Sequence, residues 1–159
     1  MPKTAATTVL AVACAFAAMP AAAQDAFDAC TVFTQQDAEA ALGTKADPEP
    51  QNPKVKRPKV VLGCAYHGNK EGKPVSAQAQ FKFARTPDEQ ARAFDEARLQ
   101  LQTKPMILTG AEAFWAGKVG QMHVRKGRTW VTLTVGGATV REREIESAKK
   151  LAEILVKKL

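Results

Sequence analysis

The side chains that could carry out chemistry in this chain are few and widely spaced. The only serines are Ser76 and Ser147, and no Gly-x-Ser-x-Gly motif surrounds either, so the sequence predicts no serine nucleophile. The only histidines are His67 and His123. Neither has metal-ligand spacing to a carboxylate or a free cysteine, so the sequence predicts no metal site.

Paired carboxylates and phosphate-binding loops also give no catalytic signature. Asp88-Glu89 and Asp95-Glu96 fall on a predicted helix, on its solvated surface rather than in a cleft. The chain has no Gly-rich loop of the form that cradles phosphates. We therefore predict that the protein is not an enzyme and requires no cofactor.

The N-terminal segment predicts export. Residues 1–23 carry a cation at Lys3, then an alanine-rich apolar stretch, then three alanines before Gln24, which is typical of a secretory signal peptide with an A-x-A cleavage site. We expect a mature domain of residues 24–159, periplasmic or secreted, with no transmembrane segment after cleavage. The alternative is a lipid-attachment site at Cys14, which lacks the usual leucine three residues before it.

The two remaining cysteines predict one disulfide. Once Cys14 leaves with the signal peptide, Cys30 and Cys64 form an even pair in an oxidising compartment. In the chain-entropy model, closing a loop of this length stabilises the fold by about 3–4 kcal/mol. A redox or nucleophilic thiol is the functional alternative, but the chain has no Cys-x-x-Cys spacing.

Length and composition indicate a single domain. The chain has 159 residues, 45% of them hydrophobic and 25% charged, which is enough apolar content for one core and excludes a disordered or polytopic protein. Lys and Arg number 23 against 16 Asp and Glu, a net charge of +7, and loss of Lys3 lowers it to 22 − 16 = +6.

Periodicity and turn residues predict the element order α-β-β-α-β-β-α. The elements are a helix from Thr34 to Gly43, strands at 60–66 and 75–83, a helix from Thr86 to Lys104-Pro105, strands at 119–126 and 129–135, and a closing helix in the last twenty residues. Because consecutive strands form hairpins, we expect an α+β fold. Its core is a single four-stranded antiparallel sheet with helices on one face.

The other face of this sheet is the first candidate binding surface. Its expected outward residues include no carboxylate, and the basic excess belongs to the two hairpins and a proline-rich loop. An exposed tryptophan among cations would mark a platform for an anionic or amphipathic ligand. The alternative is a merely solvated face. The candidate ligand-binding residues are Trp130, Arg125, His123, Lys82 and Gln80.

A basic loop is the second candidate surface. Lys54, Lys56, Arg57 and Lys59 lie among prolines, either as a solvated connector or as a contact for an acidic envelope component. Nucleic acid is not expected as a partner. This loop and the connection around Phe114-Trp115 would serve an alternative function, a protein-directed interaction module such as an inhibitor or envelope-assembly factor.

The exposure of the two tryptophans separates these functions. A buried Trp115 with an exposed Trp130 favours the sheet face as the binding surface. The reverse favours the interaction module.

Several short motifs resemble a diffuse group of small secreted proteins. The motifs are Cys30-Thr-Val-Phe-Thr-x-x-Asp-Ala-x-x-Ala-Leu-Gly43, Gly63-Cys64-x-Tyr66, Gly110-x-Glu112-Ala113-Phe114 and Val124-x-Lys126-Gly127. The group comprises lipoproteins of actinobacteria with domains of unknown function and the similar extracytoplasmic sensor domains of mycobacterial serine/threonine kinases. The resemblance implies a cysteine bridge from the first helix region to the first strand, an α+β sheet and no catalytic residues.

Overall fold

A computed structural model describes residues 27–49 and 62–159. The expected signal segment, Cys14 and the basic-loop residues 54–59 lie outside the described residues. The helices are α1 (Ala29–Val32), α2 (Gln35–Leu42), α3 (Pro87–Gln100) and α4 (Ile145–Val156), with a 3-10 turn at Val140–Glu142. The strands are β1 (Gly63–Lys70), β2 (Lys73–Phe83), β3 (Lys104–Leu108), β4 (Ala111–Ala116), β5 (Gln121–Lys126) and β6 (Thr129–Gly136).

The strands form one antiparallel sheet in the order β1-β2-β6-β5-β4-β3. The α+β class and the antiparallel pairing are as predicted, but the expected four-stranded sheet is wrong because the sheet has six strands. The two extra strands form a hairpin in the connection between α3 and β5. Lys104-Pro105, which we expected to end a helix, instead begins the edge strand β3.

The helices α2 and α3 begin directly after their capping residues. The hydroxyl of Thr34 accepts from the amide of Asp37, and the Asp37 carboxylate accepts from the amide of Thr34, a reciprocal capping box. The helix α2 ends at Gly43, whose φ of 69° is the left-handed conformation that glycine adopts most easily. Thr86 caps α3, with Pro87 in its first turn.

One face of the sheet, here called the inner face, is covered by α1, α2 and α4. The alternating apolar residues of the central strands, among them Phe81, Leu133 and Val124, pack there against Leu151 and Leu155 of α4. The disulfide between Cys30 and Cys64 joins α1 to β1 across this core, with 5.3 Å between the Cα atoms. The predicted bridge is confirmed.

The opposite, outer face is partly covered by α3. Phe94 of α3 is buried against Phe114 and Trp130, which alternate with the inner-face residues of their strands. The expectation that all helices lie on one face is therefore wrong. The sheet separates two cores, a large inner one and a small outer one.

The described helices are short. None of those in residues 27–49 and 62–159 is long and apolar enough to cross a membrane.

Candidate functional site

The five predicted ligand-binding residues lie in two adjacent rows across the outer face. One row pairs Lys82 with Trp130 and Trp130 with Arg125. The next row pairs Gln80 with Thr132 and Thr132 with His123. The strand register therefore brings all five together, but α3 divides them into buried and accessible members.

Trp130 and His123 are not available as a platform. Trp130 is 8% exposed and His123 is 5% exposed. The ring of Phe94 meets the indole edge-on at 5.6 Å, and Phe114 stacks on the imidazole at 4.7 Å. The expectation of an open face is wrong for this half of the sheet, because α3 buries an aromatic cluster there.

The environment of His123 keeps its imidazole neutral. The indole nitrogen of Trp130 donates to Nδ1 at 3.2 Å, so the imidazole proton resides on Nε2, which is buried without a hydrogen-bond partner among the described residues. Burial and, secondarily, the charge of Lys82 lower the pKa of His123 to about 4. The residue therefore forms part of a neutral outer core at physiological pH.

Arg125 is engaged by a carboxylate that the four-stranded prediction missed. Its Nε donates to Oε2 of Glu112 at 3.2 Å, and its terminal nitrogen bonds the other carboxylate oxygen. Glu112 belongs to β4, which supplies an acid to the outer face. The face as a whole is therefore not acid-free, and Arg125 is not free to bind an anion.

Gln80 and Lys82 remain accessible on β2, beyond the reach of α3. Both side chains are exposed. The Lys82 ammonium lies 4.6 Å from the centre of the Trp130 ring, a cation–π contact that holds the side chain over the aromatic cluster.

The two tryptophans do not support a platform centred on Trp130. Trp130 is buried in the outer core, whereas Trp115 is only partly buried, on the inner face of β4. Phe114 is fully buried. The connection around Phe114-Trp115 is a hairpin, and its exposed part is the edge strand β3.

Cations converge at one end of the sheet, which we call the basic rim: Lys82, Arg85, Lys126 and Arg128. Lys82 and Arg85 lie at the end of β2, and Lys126 and Arg128 flank the β5–β6 turn. Pairing brings these segments together, because Phe83 lies opposite Thr129 and the amide of Ala84 donates to the carbonyl of Arg128 at 3.0 Å.

The cations of the basic rim have no carboxylate partner among the described residues. None of its four cations forms an ion pair with any other described residue, and Lys126 donates instead to the carbonyl of Val156 at 2.9 Å. The charge excess of both hairpins was visible in the sequence. Their meeting at one end depends on the β2–β6 pairing, which no local pattern indicates.

Apolar side chains accompany these cations. Phe83 is 45% exposed although its ring packs on Phe27 at 4.7 Å, and Leu62 is also exposed at the same end. The carbonyl of Leu62 accepts from the amide of Phe81, which fixes the start of β1 beside the end of β2. The basic rim therefore combines positive charge with exposed apolar surface.

A cleft lies at the opposite end of the sheet. It has a volume of about 780 Å³ between the β1–β2 turn and the segment that follows β6. Its charges are mixed, and Lys70 pairs with Glu144 at 3.5 Å. The backbone and hydroxyl of Thr139 donate to Glu142 and hold the pKa of that carboxyl below its usual range. This cleft therefore presents both signs of charge, whereas the four named residues of the basic rim are all cations.

Metal binding has no support in the described parts of the chain. No group of three or more His, Cys, Asp or Glu side chains within residues 27–49 and 62–159 could hold a metal ion.

The resemblance to secreted lipoprotein and sensor domains stays a prediction. No protein-family model matches this chain, and neither does any curated protein or solved structure.

Proposed function

We propose that the chain is a non-catalytic exported binding domain that recognises an anionic amphipathic component of the cell envelope through the basic rim. The single observation that carries this proposal is that four cations of the basic rim lie on segments that meet at one end of the sheet and form no ion pair with any described residue.

The exposed apolar residues at the same end define the ligand class. Phe83 and Leu62 would contact acyl or other apolar groups while the cations meet phosphate or carboxylate groups. Anionic lipid head groups with their adjoining acyl chains present this combination on a flat surface.

Vesicle cosedimentation tests this proposal. The mature protein is expected to bind phosphatidylglycerol-containing vesicles and not pure phosphatidylcholine vesicles, with affinity that falls as salt rises. The triple variant Lys82→Gln, Arg85→Gln, Arg128→Gln removes three exposed cations of the basic rim. Each contributes about 1 kcal/mol, so partitioning should fall about a hundredfold.

A matched variant controls for net charge. Lys118→Gln, Arg141→Gln and Lys150→Gln remove three exposed cations that lie outside the basic rim. This control should bind nearly as well as the wild type. If both triple variants lose binding equally, recognition follows total charge and the basic rim is not the site. A wild type that ignores phosphatidylglycerol at low salt also overturns the proposal.

A further inference from the structure

The exposed edge of β3 is the most unusual apolar feature outside the basic rim. Ile107 is 91% exposed, the highest value among the large hydrophobic side chains that the structure leaves exposed in residues 27–49 and 62–159. It lies on a strand that pairs, within the described part of the chain, with β4 alone. Unpaired edges of this kind are templates for pairing with another strand.

The backbone directions on β3 follow from its hairpin. The two-residue loop Thr109-Gly110 joins β3 to β4 and closes on the pair Leu108–Ala111, so that pair exchanges hydrogen bonds. By alternation, Met106 and Lys104 also bond to β4. Pro105 and Ile107 then direct their backbone groups away from the sheet, which agrees with the missing amide proton of Pro105.

We propose that β3 pairs antiparallel with β3 of a second copy of this chain, across a two-fold axis at Ile107. In this register the two Ile107 residues exchange both backbone hydrogen bonds. The carbonyl of Pro105 comes opposite Thr109 of the second copy. Moving the axis to Met106 would place Pro105 opposite Ile107, and the Ile107 carbonyl would then face a residue with no amide proton.

Side chains also match in this register. On the outer face the two exposed Ile107 side chains meet each other. On the inner face Met106 lies opposite Leu108 of the second copy, which extends the inner core that both residues already contact. Lys104 lies opposite Gly110, so the pairing opposes no like charges. Strand-edge pairing is thus self-complementary, as a two-fold interface requires.

The second sheet edge explains why the assembly closes as a dimer. At β1, Ala46 forms an antiparallel bridge to Gly68, and the amide of Asp47 donates to the carbonyl of His67 at 2.7 Å. This edge is therefore partly occupied by the chain itself. Among the described strands each molecule then offers one comparable free edge, so pairing ends after two copies and produces a continuous twelve-stranded sheet.

Sedimentation equilibrium over a concentration series tests the dimer. The mass of the wild type should rise with concentration toward twice the monomer value. Ile107→Lys should hold the protein at the monomer mass, because two lysines would meet at the axis. Val140→Lys places the same charge on an exposed apolar site of the 3-10 turn and should leave association unchanged.

Cysteine cross-linking provides an independent readout of the register. In Ile107→Cys the two thiols would face each other across the axis, at a Cα separation of about 5.5 Å that a disulfide can span. Mild oxidation should give a covalent dimer, whereas Val140→Cys should give none. A wild type that stays monomeric throughout, or an Ile107→Lys variant that associates like the wild type, overturns the proposal.

Discussion

The indole nitrogen of Trp130 donates a hydrogen bond to Nδ1 of His123 at 3.2 Å, within a cluster that α3 closes off from solvent. The Thr132 hydroxyl lies 3.4 Å from the same imidazole nitrogen. The indole N–H and Nδ1 thereby satisfy each other's hydrogen bonding in the outer core, which suits these residues to packing rather than to ligand contact. Protonation at Nδ1 would break the hydrogen bond from Trp130 and place a charge in the buried cluster, so protonation of this imidazole is unfavourable.

The first prediction concerns pH. Because the pKa of His123 is about 4 in the folded protein and about 6.5 when unfolded, the unfolded chain binds more protons between these values. The free energy of unfolding should therefore fall by about 2–3 kcal/mol as pH drops from 7 to 4. Urea unfolding at a series of pH values measures this slope.

Two variants test whether His123 causes this dependence of the unfolding free energy on pH. His123→Leu should flatten it, since no imidazole remains to titrate in the outer core. His67→Gln, on the partly exposed outer side of β1, should keep the slope of the wild type. A His123→Leu slope equal to that of the wild type would show that other groups dominate acid unfolding.

The second prediction concerns the packing of α3. Phe94 is almost fully buried between Phe114, at 4.8 Å, and Trp130. Phe94→Ala should cost about 3–5 kcal/mol through lost burial and the cavity that remains. Leu99→Ala on the same helix removes a side chain that is 81% exposed and should change stability by at most about 0.5 kcal/mol. Denaturant unfolding measures both values.

The third prediction concerns the ion pair that joins Lys158, just after α4, to Asp37 of α2. The ammonium of Lys158 bonds the buried Asp37 carboxylate. Burial acts to raise the pKa of Asp37, but hydrogen bonds from Lys158 and Thr34 outweigh it and leave that pKa below its usual range. Lys158→Met should destabilise the fold by about 1–3 kcal/mol because it removes the partner of a buried charge.

Lys157, the residue before Lys158, provides the control. Lys157→Met changes the same charge at an exposed position and should be nearly neutral. Because the pKa of Asp37 is lowered, its stabilising contribution is present at neutral pH and is lost as pH falls through the folded value. The deficit of Lys158→Met should therefore shrink in acid, and a deficit independent of pH would contradict the assigned role.

The fourth prediction concerns the disulfide. Replacing Cys30 and Cys64 together with alanine should lower the free energy of unfolding by about 3–4 kcal/mol, because the unfolded chain gains conformational freedom. Thermal unfolding compares this variant with the oxidised wild type, and thiol alkylation under denaturing conditions verifies that the wild type has no free thiol from this pair. Equal stability of the two proteins would refute the prediction.

Local signals in the sequence predicted several elements closely. Thr34 and Gly43 bound α2, and Thr86 with Pro87 starts α3, because capping depends on a few adjacent residues. The strand β2 was clear because its inner face is apolar and its outer face is solvated, which produces strict alternation. The disulfide pairing followed from cysteine number alone.

The sequence pattern did not predict the β3–β4 hairpin, because β4 is buried on both of its faces. In β4, Trp115 contacts the inner core while Phe114 and Ala116 are buried in the outer core, so polar and apolar residues do not alternate. Lys104-Pro105 also reads as a helix stop. The basic rim and the burial of Trp130 depend on long-range pairing and on the position of α3, which lie beyond any local pattern.

The division of the apolar side chains into two cores has a consequence for how the domain opens. The small outer core holds α3 through Phe94 and a few neighbours, whereas the inner core ties α1, α2 and α4 to the central strands. The free energy of detaching α3 is therefore a fraction of that for global unfolding. We therefore expect amide hydrogens of α3 to exchange through this local opening, whereas those of β2 and β6 should exchange only when the whole domain unfolds.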